Sequence, residues 1–249
     1  MTLQIELSGV YKEYKTYVKD EGIIPSLAGM LHRKYEYVQA VNGVSFSIPP
    51  GGILGLIGLN GAGKTTIIKL ASGIIKPDAG VVRVLNQDPF KRKIEYRSCV
   101  TLVMGQKGQL DIDLSIMDSV ALFASMYSLK KKVAFERARD MASELNLTEV
   151  DLHKQVRNLS LGQRMKGELI LAFIHQPTII FLDEPTLGLD FPTQNSIRNY
   201  LKLYRDEHRA SIILTSHYIK DIEDLCDKIY VINAGKELYY GTISEQIGR

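Results

Sequence analysis

Gly58-Leu59-Asn60-Gly61-Ala62-Gly63-Lys64-Thr65-Thr66 is the stretch from which the rest of the chain is read. An apolar run, Ile53-Leu54-Gly55-Leu56-Ile57, precedes it with the character of a buried strand, and Ile67-Ile68-Lys69-Leu70-Ala71 follows as the opening of a helix. Strand, glycine-rich turn and helix in that order form the setting in which Gly-x-x-x-x-Gly-Lys-Thr cradles phosphate. Glycines leave the turn free of side chains, so successive backbone N–H groups converge on one anion. The helix behind adds its unpaired N–H groups and the positive end of its dipole. In this reading Lys64 reaches the β- and γ-phosphates of a nucleotide, and the Thr65 hydroxyl coordinates Mg²⁺.

Working outward, the flanking chain supplies the pattern of an α/β fold. Leu3 to Leu7 alternates apolar and polar like a half-buried strand, and Gln39 to Ile48 reads as a second, ended by the turn Pro49-Pro50-Gly51-Gly52. Between them, in an extra segment of about 15–36, Ile24, Leu27, Met30 and Leu31 fall at helical spacing, with His32, Arg33 and Lys34 following. Two readings stand: a hairpin elaboration with a short surface helix, or a basic amphipathic patch held near a membrane or partner. After the phosphate loop, Pro77 to Gly80 reads as a turn, and Val81 to Leu85 and Cys99 to Met104 as strands. From Ser115 to about Leu147 the spacing turns helical, with Val120, Phe123, Ala124 and Tyr127 on one face and Ala138, Met141, Ala142 and Leu145 on another. The last third alternates strands (Thr178–Asp183, Ser211–Thr215, Lys228–Ile232) with helices (Phe191–Arg205, Ile219–Leu225). That alternation implies parallel βαβ units, with the ligand crevice at the carboxyl ends of the strands.

Bulk properties set limits on function. With 249 residues, 45% hydrophobic and 24% charged, the chain can bury a large core as one domain with a lobe. A net charge of +3 is too small to argue for nucleic acid and does not oppose an anionic ligand. Cys99 and Cys226 make no metal-like or redox pair, so a reducing compartment is expected. No apolar run approaches the ~18 residues that span a bilayer, and the first residues lack the basic start and apolar core of a signal peptide. A soluble, cytoplasmic chain is expected, and so is the lack of an appended regulatory domain after its final short segment.

Further chemistry appears at Ile179-Ile180-Phe181-Leu182-Asp183-Glu184, apolar residues and then two carboxylates. A buried strand that delivers acids at its end is how phosphate-loop hydrolases place an Asp near Mg²⁺. Neighbours in sequence point in different directions. One of the two acids, Asp183 or Glu184, can therefore hold the hydrated metal while the other orients or deprotonates the attacking water. Ser160 precedes a helix that should run through Leu171, so it reads either as a plain helix cap or, with its hydroxyl and the adjacent N–H groups, as an anion site at a helix start.

Taken in order, these stations resemble the nucleotide-binding subunit of an ATP-binding cassette (ABC) transporter. Gln106 matches the family's Q-loop, Leu159-Ser160-Leu161-Gly162-Gln163-Arg164 its signature sequence, Leu187-Gly188-Leu189-Asp190 its D-loop, and His217 its switch histidine. The departure is Leu161, where the family usually has Gly. The resemblance implies a single ABC ATPase domain over 1–249: a P-loop NTPase core (about 1–105 and 158–249) with a mainly parallel sheet, an antiparallel β subdomain, and an α-helical subdomain (about 108–157). It also implies ATP and Mg²⁺ as ligands, with Thr65, Gln106 and Asp183 at the metal. Glu184, His217 and Gln106 would be catalytic, and Ser160, Gly162 and Gln163 would meet the γ-phosphate held on a second subunit. Asp190 would organise the contact between subunits, besides serving as a helix N-cap before Phe191-Pro192. An aromatic ahead of the phosphate loop usually stacks on adenine. Tyr14 fits by its place in the first strand's motif and Tyr35 or Tyr37 by the distance to Ala40-Val41, with Tyr37 first and Tyr14 next.

By the same resemblance the partners are a second nucleotide-binding subunit, first of all an identical copy, and an integral membrane permease, without nucleic acid. The chain would sit at the cytoplasmic face of the membrane through that permease. Leu110, Ile112, Leu114 and Met117 would either line the groove that receives the permease's short helix or pack into the core. The extra segment, the signature variant and the short C-terminus look most like ABC-2 type exporters of drugs, lipids or glycans. Two other classes compete: a non-transport ABC ATPase acting on nucleic acid or the ribosome, and a sensor that binds nucleotide without hydrolysing it. The first carries coiled-coil arms or two cassettes in one chain, and neither is seen here. Against the second, every catalytic station is occupied.

Overall fold

A computed structural model describes residues 3–17, 35–105 and 108–247. Three antiparallel strands lie in the order β2–β1–β4, with β1 at Ile5–Tyr17, β2 at Tyr35–Ile48 and β4 at Ala79–Val84. A six-stranded sheet has the order β5–β6–β7–β3–β8–β9. Its strands are β3 (Ile53–Ile57), β5 (Val100–Met104), β6 (Ile179–Asp183), β7 (Ser211–Thr215), β8 (Lys228–Asn233) and β9 (Lys236–Gly241). The first five in that order run parallel, and β9 returns antiparallel on β8. This is the expected α/β class, a mainly parallel sheet beside an antiparallel one.

Nine helices are described: α1 (Lys64–Ala71), α2 (Ile94–Arg97), α3 (Ile116–Met126), α4 (Lys131–Glu144), α5 (Glu149–His153), α6 (Leu161–Phe173), α7 (Phe191–His208), α8 (Ile219–Leu225) and α9 (Ile243–Ile247). Local chemistry starts several of them. Ser115, Thr148 and Ser160 each cap a helix and receive a reciprocal bond from the residue three places on, Asp118, Asp151 and Gln163. The helical stretch expected from Ser115 to Leu147 is broken between α3 and α4, where Ser128 adopts a left-handed φ of 56°.

The central strands are buried on both faces, as their unbroken apolar runs require. Alternate residues feed opposite cores: Ile180, Leu182, Ile212 and Leu214 pack with the helices α3, α4 and α6, while Ile179, Phe181 and Ile213 pack with α1 and the antiparallel sheet. Each such side chain contributes roughly 1.5–3 kcal/mol by leaving water.

One expectation changes, one alternative is decided and one strand is added. Pro77 to Gly80 is not wholly a turn: Ala79 pairs with Tyr11 and opens β4, and Asp78 accepts from Lys12 Nζ at 2.7 Å. Leu110 and Met117 are core, which leaves Ile112, 56% exposed, as the one large exposed apolar residue of the four offered for a groove. Strand β9 was not foreseen; its turn, Ala234-Gly235, takes φ of 45° and 77°, the left-handed pair that closes tight hairpins. In the extra segment, Lys15–Tyr17 pairs with Tyr35–Tyr37 and prolongs the β1–β2 hairpin. The proposed helix at Ile24, Leu27, Met30 and Leu31, and the basic residues after it, lie outside the described residues.

One packing detail makes stability depend on pH. His175 stacks on Tyr127 at 4.0 Å between ring centroids, and its Nε2 lies 3.3 Å from the Val100 carbonyl oxygen. Burial, opposed by that carbonyl, lowers its pKa from 6.5 to about 4. Between these values the unfolded chain binds a proton that the folded chain refuses, so stability is full above pH 6.5 and falls towards pH 4. The loss should total roughly 3 kcal/mol. Replacing His175 with Phe keeps the stack and should flatten this part of the curve in denaturant titrations from pH 7 to 4. Glu144, raised by burial, Glu207 and Asp140, runs the opposite way in both proteins and cancels in their difference. An unaltered slope in His175→Phe would refute the assignment.

Candidate active site

The phosphate loop leaves β3 and enters α1 as expected. Gly63 caps α1 at φ 113°, a left-handed conformation that suits glycine, and an added Cβ would overlap the Ala40 carbonyl oxygen of β2. A Cβ on Gly58 would overlap the Ile232 carbonyl oxygen. Bare backbone is thus required where the loop is pressed between β2 and β8, and this leaves its N–H groups clear for an anion. Lys64 is buried, and its Nζ donates to the carbonyls of Gly58 at 2.7 Å and Leu59 at 3.1 Å. Its ammonium therefore lies across the loop. Leu59, Asn60 and Gly61 are exposed at the tip, Ala62 is buried beneath it, and Thr66 is partly buried in the first turn of α1.

Beyond the strand ends the other stations come together. Asp183 closes β6, with Oδ2 accepting from Thr65 Oγ1 and Oδ1 from Thr215 Oγ1, both at 2.8 Å. A hydroxyl beside a carboxylate suits a hard divalent cation, and Mg²⁺ in phosphate sites is commonly held by one or two carboxylates plus the phosphates. Glu184 follows at φ 57°, left-handed for a residue with a side chain, at a cost on the order of 1 kcal/mol. Its N–H donates to Thr215, to Oγ1 at 3.0 Å and to the carbonyl at 3.2 Å, which fixes the turn. The turn swings the carboxylate to His217, with Oε1 and Nε2 2.9 Å apart. Gly105 N donates to the Asp183 carbonyl at 2.9 Å, so the loop after β5 starts at the same place. Gln106 itself lies outside the described residues.

A second cluster carries the signature residues. Ser160 Oγ accepts from Gln163 N at 3.2 Å while Gln163 Oε1 accepts from Ser160 N at 2.9 Å. The Ser160 hydroxyl proton is left to donate, so capping and anion binding are compatible. A Cβ on Gly162 would stand 3.0 Å from Thr193 Cγ2, and Leu161 Cδ2 lies 3.6 Å from where Gly188 would carry one. The signature turn is therefore packed on the segment that begins α7. Asp190 caps α7, its Oδ1 accepting from Thr193 N at 2.8 Å, and its bonds with Thr193 hold its carboxyl below the usual range. Glu168 of α6, buried, accepts from Gln109 N at 2.8 Å and Leu110 N at 3.0 Å, tying the signature helix to the chain just after Gln106.

Tyr14 pairs with Val38, and Lys15 with Tyr37. Opposed residues of an antiparallel pair share a face, so Tyr14 and Tyr37 point to opposite sides of the hairpin. Both are exposed, at 37% and 61%, and one base can stack on only one of them.

Sequence reading passed over Thr186, Arg198, Thr215, Ser216, Asp221 and Glu168. Thr215 and Ser216 adjoin His217, and Thr186 adjoins the carboxylates, which was a signal of position. Arg198, Asp221 and Glu168 stand in helices with no local mark, and only folding brings their partners to them.

A glycine-rich phosphate loop before a helix, with strand-end carboxylates paired to its threonine and to a histidine, defines a P-loop nucleotide hydrolase. The family model for ABC transporters matches residues 41–187, and the chain belongs to that family, as an ATP-binding domain of the ABC ATPase class. The ABC transporter ATP-binding protein NatA of Bacillus subtilis is 30% identical over 84% of this chain and 85% of its own. The daunorubicin resistance ATP-binding protein DrrA3 of Streptomyces coeruleorubidus is 30% identical over 86% of this chain and 66% of its own. The doxorubicin resistance ATP-binding protein DrrA of Mycobacterium tuberculosis is 31% identical over 84% and 62%. The chain thus spans less than two thirds of the length of these drug-resistance relatives. Among solved structures, an ATP-binding subunit of an ABC transporter superposes with a TM-score of 0.79 at 24% identity, over 99% of this chain and 94% of that one. The ATP-binding cassette MJ0796, in a dimeric post-hydrolysis state with ADP and Pi, gives 0.79 at 21% identity over 96% and 98%. These likenesses establish the fold.

Proposed function

We propose that the chain is the ATP-hydrolysing subunit of a membrane exporter, and that two copies close on two nucleotides to drive a permease partner. The observation that carries the chemistry is the bonded line Thr65–Asp183–Thr215–Glu184–His217, which joins phosphate loop, metal carboxylate, base and switch histidine. On this reading residues 1–249 act as one ATPase domain, with a core of about 1–105 and 158–249 and a helical lobe of about 108–157.

The phosphate loop and Lys64 grip the triphosphate, and Tyr14 or Tyr37 stacks on adenine. Thr65 and Asp183, with Gln106, would hold Mg²⁺, which supplies charge neutralisation on the phosphates. Glu184 accepts a proton from the attacking water as its oxygen bonds to the γ-phosphorus and the bond to ADP breaks. His217 orients that carboxylate and donates to the γ-phosphate. Ser160, Gly162 and Gln163 of a second copy cover the same phosphate, and Asp190 braces the contact. Nucleotide favours the closed pair because it touches both copies only there, and loss of the γ-phosphate removes that bridge.

A groove of about 380 Å³ alongside β5 supports docking of a short permease helix: Tyr96, Arg97, Leu102, Met104, Gln109 and Tyr127 line it, in place of Leu110, Ile112, Leu114 and Met117. No helix among the described residues is long and apolar enough to cross a membrane, so the chain would attach to the cytoplasmic face through this partner. The drug-resistance names of its relatives support export, with a drug, a lipid or a glycan as cargo. Transporter relatives favour this reading over a non-transport ATPase on nucleic acid or the ribosome. The deciding experiment is to purify the tagged chain from its native membranes in mild detergent. A polytopic membrane protein should be recovered with it, and ATP turnover should rise severalfold when the two are reconstituted. Recovery with ribosomes or DNA, and a rate indifferent to any membrane protein, would refute the reading.

A further inference from the structure

Strand pairing between β6 and β7 ends at Asp183 and Thr215. Glu184 and His217 lie one and two residues beyond it, so the sheet does not by itself fix the 2.9 Å between their side chains. A buried carboxylate stands behind both loops. Asp221, only 1% exposed on α8, accepts through Oδ2 from Thr186 Oγ1 at 2.5 Å and from Ser216 Oγ at 2.6 Å. Thr186 is two residues past Glu184, and Ser216 is the residue before His217. Ser216 Oγ also accepts from Tyr218 N at 3.0 Å, closing the turn that presents the histidine.

The counter-charge is Arg198 of α7, itself 1% exposed. Its Nη1 donates to Asp221 Oδ1 at 2.8 Å, and its Nε lies 3.3 Å from Asp224 Oδ2 without aiming a hydrogen at it. The guanidinium also sits 5.7 Å from the ring centre of Phe191, the residue after Asp190. A buried ion pair adds little net stability over an apolar pair of the same size. It does fix geometry, since three donors converge on one carboxylate from three elements.

We propose that Asp221 is a positioning residue: through Thr186 and Ser216 it holds the Glu184 and His217 loops in register, with Arg198 as its buried counter-ion. The inference rests on the roles given to Glu184 and His217 under the proposed function. Base and histidine act on one water, and displacing a reacting group by about 1 Å can cost about a hundredfold in rate.

Thr186→Val and Ser216→Ala each remove one bond to Asp221 and leave no buried charge unpaired. Both should unfold within a few degrees of the unaltered chain and keep KM for ATP within about twofold, while kcat falls about tenfold or more. Asp221→Asn should lose about a hundredfold in kcat, and in the Glu184→Gln background it should take away nothing further. A merely structural Asp221 would instead lower the melting temperature and ATP affinity and multiply the loss in that background, and either result would overturn the proposal. Should Asp221→Asn fail to fold, the two hydroxyl variants decide. Unaltered kcat in both, with Glu184→Gln inactive, sinks the positioning role and spares the active-site assignment. Full turnover by Glu184→Gln sinks the assignment itself.

Discussion

Glu184→Gln is expected to bind ATP as the unaltered chain does and to hydrolyse it about 10²–10³-fold more slowly. The amide matches the carboxylate in size and can still meet His217 Nε2, which lies 2.9 Å from Oε1. It can also adopt the left-handed turn at φ 57°, where Gln is no more strained than Glu. What is lost is basicity: an amide cannot take the water's proton as the new bond to phosphorus forms. The variant should therefore remain folded, saturate with ATP and accumulate as a closed dimer, since nothing removes the γ-phosphate. Phosphate release and light scattering during gel filtration, both with Mg-ATP, read the two halves of this expectation. Turnover at the unaltered rate would exclude Glu184 as the base, and a monomer at saturating ATP would exclude the closed pair.

Lys64→Ala should act earlier, by weakening nucleotide binding about a hundredfold, near 3 kcal/mol. Lys64 is the one cation in the nonapeptide, and charge-assisted bonds to phosphate are among the stronger polar contacts. It also donates to the Gly58 and Leu59 carbonyls, so its removal leaves the loop without an internal strut. Affinity should fall for ATP more than for AMP if, as proposed, the ammonium serves the terminal phosphates. Titration calorimetry with the two nucleotides measures this directly. A dissociation constant for ATP within threefold of the unaltered value would show that the backbone N–H groups hold the anion without the lysine.

Much of this site is local in sequence, and that part could be read directly. The phosphate loop, the carboxylates at the end of β6 and the histidine beyond β7 each come at the end of a short apolar strand, and such runs tolerate little else. Other parts depend on partners distant in the chain. Asp221 means little until Arg198, Thr186 and Ser216 are brought to it from α7 and two loops. Ala79 reads as part of a turn until Tyr11 offers it a ladder position. Leu110 and Met117 carried no mark to separate a groove wall from core, because exposure is set by what packs against a residue and not by its place in the chain. Motif favours Tyr14 and distance favours Tyr37, whereas the hairpin register turns this into a choice between two faces.

The six-stranded sheet parts two oily bodies that do not share a helix at the phosphates. Ile67, Ile68 and Leu70, behind the nucleotide grip, belong to one; Leu169, Ile170 and Leu171, behind Ser160, belong to the other. A local loosening on the Ser160 side would then leave the grip seated. In the proposed pair, one copy could then let go of its neighbour's nucleotide while keeping hold of its own.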